Sequence, residues 1–84
     1  MSMKYKYYVV LRRLFMEKDI ISIYDFNEAV KENWINSNGN RIWVVPPKDE
    51  RTATFVWGFH SLNTAVIFYE SLLHNELGIE CCEI

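Results

Sequence analysis

Residues 52–77 read TATFVWGFHSLNTAVIFYESLLHNEL and carry the two periodicities that decide the fold class. Side chains alternate from 52 to 59, which predicts a strand with these apolar residues on one face: Ala53, Phe55, Trp57 and Phe59. Ser61 is a candidate N-cap residue, and the apolar residues after it recur at helical spacing: Leu62, Ala65, Val66, Tyr69, Leu72, Leu73 and Leu77. Gly78 stands where a glycine commonly ends a helix. The stretch therefore predicts a strand followed by a helix.

Residues 4–14, KYKYYVVLRRL, predict a first strand, because they are rich in Tyr and Val. Its core face would carry Tyr5, Tyr7, Val9 and Leu11, and its opposite face Lys4, Lys6, Tyr8, Val10 and Arg12. A first helix is predicted from Ser22, a candidate cap with Asp25 three residues later, to about Ile35. Its apolar residues at helical spacing are Ile23, Phe26, Val30 and Trp34. Gly39, within an Asn-rich cluster, is expected to take a positive φ and end it.

Two short strands complete the pattern. Residues 41–45 predict a strand stopped by Pro46-Pro47, and residues 79–84 alternate as a last strand. The order βαββαβ predicts a ferredoxin-like fold in one domain covering residues 1–84. Its antiparallel sheet would have four strands in the order 4-1-3-2, with both helices on one face.

Composition narrows the classes of function. The chain has 84 residues, half of them hydrophobic, and a formal charge of −2. This is enough apolar sequence for a packed core, and the charge disfavours binding to nucleic acid through phosphate contacts alone. No apolar run reaches the length of a membrane span. We expect a soluble protein of the cytoplasm, or of the host cytoplasm if it is viral.

A sheet covered on one face leaves the other open, and the alternation places an apolar centre with a charged rim there. This open face is the predicted partner-binding surface, with contact residues Tyr8, Val10, Arg12, Trp43 and Val45. Ile67 and Phe68, opposite to or at the edge of the second helix's apolar stripe, form a second candidate surface. The alternative is that one strand's parity is shifted and that Trp43 is a core residue.

The chemistry-bearing residues do not converge in the sequence. His60 and His74 lie at opposite ends of the predicted helix, about 20 Å apart, so one chain cannot bring them to one metal ion. The two cysteines, Cys81 and Cys82, are adjacent, so two thiols are expected rather than a disulfide. We therefore expect no catalytic residues, no metal and no cofactor.

These features favour a small non-catalytic module that binds one protein. By size and acidity it looks like the accessory proteins with which phages regulate or inhibit host factors, acting by occupying a surface. One alternative is binding of RNA or single-stranded nucleic acid through the open sheet face, by stacking on Tyr8 and Trp43. However, the RNA-recognition signature is matched at Arg51, Phe55 and Val56 only. The other alternative is a homodimer that buries this face and encloses a small-molecule site.

Overall fold

A computed structural model describes residues 5–14, 18–42 and 52–74. Their elements, in chain order, are β1 (Tyr7–Leu14), β2 (Ile20–Asp25), α1 (Phe26–Lys31), β3 (Thr52–Phe59) and α2 (Leu62–Leu73). The three strands form one sheet in the order β2-β1-β3. Both pairings are antiparallel, and the central β1 places Val9 opposite Ile23 on one side and Trp57 on the other.

The predicted ferredoxin-like sheet of four strands in the order 4-1-3-2 is therefore wrong, although the fold is a mixture of helices and strands. The main error lies at residues 20–25, which were predicted as a connection and the start of a helix and form β2 instead. Ile20, Ile21 and Ile23 are β-branched and favour a strand, and Ile21 and Ile23 both point to one side of the sheet. The helical spacing between Ile23 and Phe26 was misleading, because Ile23 belongs to β2 and Phe26 to α1.

Of the two remaining predicted strands, the structure describes only the first two residues of one and none of the other. Arg41 pairs with Ile35 in an isolated antiparallel bridge, whereas residues 43–45 lie outside the described ranges. Residues 79–84, with both cysteines, lie outside them as well, as does Gly78.

One face of the sheet packs against α2. The buried residues of this cluster come from β1, β3 and α2: Val9, Leu11, Trp57, Phe59, Ala65 and Phe68. The Phe68 ring contacts the rings of Trp57 and Phe59, with centroid separations of 4.8 and 5.2 Å. Most residues of the predicted core faces of the first strand and of residues 52–59 lie in or against this cluster, but Tyr5 packs on the other side of the sheet and Ala53 is exposed.

The other face of the sheet is covered too, by α1 and the segment that follows it. The buried residues here are Tyr8, Val10, Ala29, Ile35 and Val56, with Phe26, Val30 and Trp34 packed beside them. The two helices thus lie on opposite faces of the sheet rather than on one. The reason is that the residues predicted to begin the first helix form β2 instead. The chain therefore leaves the sheet at Asp25 and returns over the second face.

Short-range hydrogen bonds fix both ends of α1. Asp25 is the N-cap: its carboxylate accepts from the Glu28 backbone N–H, and the Glu28 carboxylate accepts from the Asp25 N–H. At the other end Asn33 has a φ of 64°, and the backbone N–H groups of Asn33 and Trp34 donate to the carbonyls of Val30 and Ala29. This pair of bonds is the Schellman motif. The predicted capping box at Ser22 and the predicted helix end near Ile35 are both wrong. The helix begins instead after the N-cap Asp25 and ends at the Schellman motif around Asn33.

Residues 34–42 fold back on themselves after the helix. The Ile42 N–H donates to the Trp34 carbonyl, and the Asn36 side chain accepts from the N–H groups of Asn38 and Asn40. Gly39 has the predicted positive φ, 84°, but it serves this turn and not a helix end. Arg41 leaves the turn beside β3, where its guanidinium donates to the Thr54 carbonyl.

The second helix begins as predicted. Ser61 is its N-cap and accepts from the Thr64 N–H. It ends at Leu73, with His74 as the C-cap residue, so the helix end predicted at Gly78 is wrong; Leu77 lies outside the described residues. Its buried residues are Ala65, Phe68 and Ser71, so the buried face is rotated from the predicted stripe, and Leu62 and Leu73 are exposed.

Candidate binding surface

The predicted contact residues of the sheet face differ in how much of each side chain is exposed to solvent. Tyr8 and Val10 are buried, at 0% and 1% exposed, beneath α1 and the segment after it. The Tyr8 hydroxyl donates to the Tyr5 carbonyl at 3.1 Å. Burial, with a smaller contribution from Tyr5, raises the pKa of the Tyr8 phenol. Neither side chain is available to a protein surface or to a nucleic-acid base in this arrangement, because the predicted open face is covered there.

The same face opens at the far end of β1. Arg12 is exposed and pairs across the strands with Ile20 and Thr54. Ile20 is an exposed large apolar residue. Arg12 is thus the one described member of the predicted sheet-face set that lies at the surface. Trp43 and Val45 lie outside the described residues.

The two residues of the second predicted surface differ: Ile67 is exposed, and Phe68 belongs to the core. Ile67 is 55% exposed, as its position on the helix predicts, whereas Phe68 is 4% exposed and belongs to the aromatic core. The two residues therefore do not form a joint patch. Phe68 lies about 100° from Ile67 around the helix, which is enough to turn it toward the sheet.

An exposed apolar strip along α2 was missed by the sequence reasoning. Leu62 and Leu73 are 49% and 52% exposed, whereas Val66 and Tyr69 between them are half-buried and Tyr69 packs against the core. We call these four residues the α2 flank. At 100° per residue they fall within about 60° of one another, beside the buried face. The signal was present in the sequence, but all four residues were assigned to the core stripe, and the face of α2 that is buried is rotated away from that stripe.

The described surface also contains a shallow cleft of about 420 Å³ at the start of β1 and the end of β2. Its lining residues are Tyr5, Lys6, Tyr7, Asp25, Phe26 and Asn27. The Asp25 carboxylate at this cleft already caps α1. The cleft has aromatic walls, and Lys6 is its one cation.

Groups suited to catalysis or metal binding are dispersed in the described ranges. No three His, Cys, Asp or Glu side chains there come together as a metal site would require. The His60 ring contacts the Tyr5 ring at a tilt of 35°, with a centroid separation of 4.8 Å, and His74 lies at the other end of α2. None of the helices in these ranges has the length and apolarity that crossing a bilayer requires.

Comparison with protein-family models, with curated proteins and with solved structures finds no match to this chain.

Proposed function

We propose that this protein is a small non-catalytic module that binds another protein by occupying its surface. One observation supports the proposal most directly. The large hydrophobic residues that remain exposed in the described part are Ile20, Leu62, Ile67 and Leu73, and three of these four lie on α2. Single exposed apolar residues are normal in any protein, but Leu62 and Leu73 lie on one side of α2, and apolar residues grouped on one side of a helix are typical of an interaction surface.

The chemistry of the described residues supports binding rather than catalysis. The histidines are separated by the length of α2, and the cleft carboxylate of Asp25 is engaged in capping. A module that works by surface occupation needs neither a nucleophile nor a general base, only a rigid frame that presents its contact residues. The sheet, packed on both faces, provides such a frame.

The proposal includes a biological setting. Occupation of a surface is how a small regulator or inhibitor acts, including those that phages direct at host proteins. The only two cysteines are adjacent in the sequence, which suits a reducing compartment. We therefore assign the protein to the cytoplasm.

The test is affinity capture from lysate of the source cells, with and without nuclease, using the tagged full chain. We expect one protein at a near-equal amount in both samples. A variant combining Leu62→Glu, Ile67→Glu and Leu73→Glu should lose that protein. The matched control, Asn63→Glu with Thr64→Glu, alters exposed polar positions of the same helix and should retain it.

Circular dichroism must show the same helix and strand content in all three proteins. Recovery that disappears with nuclease would contradict the proposal and favour nucleic-acid binding. So would equal recovery by the triple variant and the wild type, since the exposed apolar residues of α2 would then have no role.

A further inference from the structure

We infer that Asn38 is a site of spontaneous chemical modification, in which the backbone nitrogen of Gly39 attacks the Asn38 side-chain amide and ammonia is released. The cyclic succinimide that forms is then opened by water, which leaves aspartate or isoaspartate at position 38. The reaction is independent of the proposed function, because it needs only water and the turn in which the two residues lie.

The residue after Asn38 distinguishes this position from the other asparagines of the chain. Gly39 follows it, whereas every other asparagine precedes a residue with a side chain. Glycine has no Cβ, so its nitrogen can approach the neighbouring side-chain carbonyl and its backbone has the freedom that ring closure requires. Asn27 and Asn63 are also exposed, but they lie within α1 and α2, where the helix fixes the backbone. Ring closure is therefore least hindered at Asn38.

The surroundings of Asn38 leave its side chain available for this reaction. Asn38 is exposed, which admits the water that opens the ring. None of the described residues hydrogen-bonds to its carboxamide, and its backbone N–H donates to Asn36 Oδ1 at 2.9 Å. The Asn36 carboxamide, in contrast, is held because it accepts from the N–H groups of Asn38 and Asn40. Of these two carboxamides, that of Asn38 is free to rotate toward the next backbone nitrogen.

The turn itself restrains the reaction. The Gly39 N–H donates to the Asn36 carbonyl at 2.9 Å, and the nitrogen must leave this bond and lose its proton when it attacks. The Asn36 N–H also donates to the Asn40 carbonyl at 2.8 Å, which closes the loop from its other side. The reaction therefore requires that the turn opens, and local opening costs less free energy than global unfolding. Asn36 thus controls the rate at Asn38, since its carbonyl and its Oδ1 are the acceptors that hold the turn closed.

The bonds and protons of the reaction balance without an oxidant or a cofactor. The Gly39 nitrogen forms a bond to Asn38 Cγ and gives its proton to water or hydroxide. The bond from Cγ to Nδ2 breaks, and the nitrogen takes a proton from solvent and leaves as ammonia. Water then adds to a ring carbonyl: addition at Cγ gives aspartate, and addition at the main-chain carbonyl gives isoaspartate, whose backbone runs through Cβ and Cγ. Either product carries a carboxylate that is ionised at neutral pH.

The experiment follows the amide of Asn38 in the full chain by mass spectrometry. The wild type is kept at neutral and at mildly alkaline pH, and samples taken over several weeks are digested with trypsin and compared with a sample from time zero. Cleavage after Lys31 and Arg41 gives one peptide, residues 32–41, which also contains Asn33, Asn36 and Asn40 as internal controls. We expect modification at Asn38 well before the others, faster at the higher pH, and as both aspartate and isoaspartate, because opening of the ring gives both.

Two variants test the control by the turn. Asn36→Ala removes the Oδ1 that accepts from Asn38 and Asn40, so the turn should open more often and Asn38 should react about fivefold faster or more. Asn40→Ala is the matched control, because it changes an exposed side chain and keeps the backbone groups of the turn. Its rate should stay within about twofold of the wild type. Circular dichroism must show native helix and strand content in both variants.

The wild type alone can overturn the inference, even if Asn36→Ala does not fold. Retention of the Asn38 amide at alkaline pH would do so, as would aspartate without isoaspartate or modification at Asn33 or Asn40 at the same rate. A folded Asn36→Ala variant that reacts no faster than the wild type would contradict the control by the turn.

Discussion

A contact with a residue distant in sequence explains why position 58 is a glycine. A Cβ built on Gly58 would lie 2.8 Å from Cε2 of the Tyr5 ring and closer still to two further ring carbons. The Tyr5 ring lies over the backbone at this point and also contacts the His60 ring, which is tilted by 35°. The glycine therefore allows an aromatic ring to cover the backbone of β3, a close approach that a side chain would prevent.

The buried phenol of Tyr8 leads to a pH-dependent prediction. Its pKa is raised above the ordinary 10.0, so the native state retains the proton over a range of pH in which the unfolded chain loses it. The contribution is complete below pH 10 and is lost as pH rises through the native pKa. The free energy of unfolding should therefore fall above about pH 10.

The variant Tyr8→Phe isolates this effect. It loses the hydrogen bond to the Tyr5 carbonyl, which should cost about 1 kcal/mol at pH 7. Above pH 10 its deficit relative to the wild type should shrink, because the phenol no longer stabilises the native state. Urea unfolding at pH 7, 9 and 10.5 measures both quantities. Stability curves that stay parallel across this range would contradict the assignment.

At the scale of elements, α1 shows how a helix of six residues is maintained. Such a length is far too short to be stable alone. It is held by the capping box of Asp25 and Glu28 and by the Schellman turn at Asn33, and its buried Ala29 packs on the sheet. The caps also set the direction in which the chain crosses the second face.

The cap at Asp25 can be tested by substitution. Asp25→Ala removes the acceptor for the Glu28 N–H, 2.8 Å away, and should lower the free energy of unfolding by about 1 kcal/mol. Asn27→Ala is the matched control, an exposed position in the first turn of the same helix that should change stability by less than about 0.5 kcal/mol. Urea denaturation of both variants gives the comparison, and equal losses would show that the cap is unimportant.

At the scale of the molecule, the sheet is a middle layer between α2 and the cover formed by α1 and residues 34–42. This arrangement buries most of the sheet face that the alternation of side chains along the strands predicts to be open to solvent. It also moves the candidate interface from the sheet to the outer side of a helix.

A pair of substitutions on one face of β1 tests the layering. Val10→Asp places a charge in the buried cluster and should unfold the protein or destabilise it by more than about 3 kcal/mol. Arg12→Asp changes an exposed residue two positions along the same face and should cost less than about 1 kcal/mol. Thermal unfolding followed by circular dichroism distinguishes them. Similar melting temperatures would mean that this face is open to solvent.

The accuracy of prediction differed along the chain for identifiable reasons. The strand over residues 52–59, its two faces and the Ser61 cap were predicted correctly, because their signals lie within a few neighbouring residues. The candidate surface was predicted less well. Ile67 and Arg12 are exposed, but the burial of Tyr8 and Phe68 depends on elements that pack from elsewhere in the chain.

The sequence by itself determined the local periods, the N-cap of α2 and the side of each long strand on which its residues lie. The tertiary structure decided that residues 20–25 pair with β1, that the helices take opposite faces, and which side of α2 is buried. The physical reason is that period and capping depend on contacts within one or two turns, whereas burial depends on the area that distant segments remove from water. The same apolar row on α2 can serve as core or as surface, and the packing of Ala65 and Phe68 on the sheet decided that Leu62 and Leu73 remained exposed.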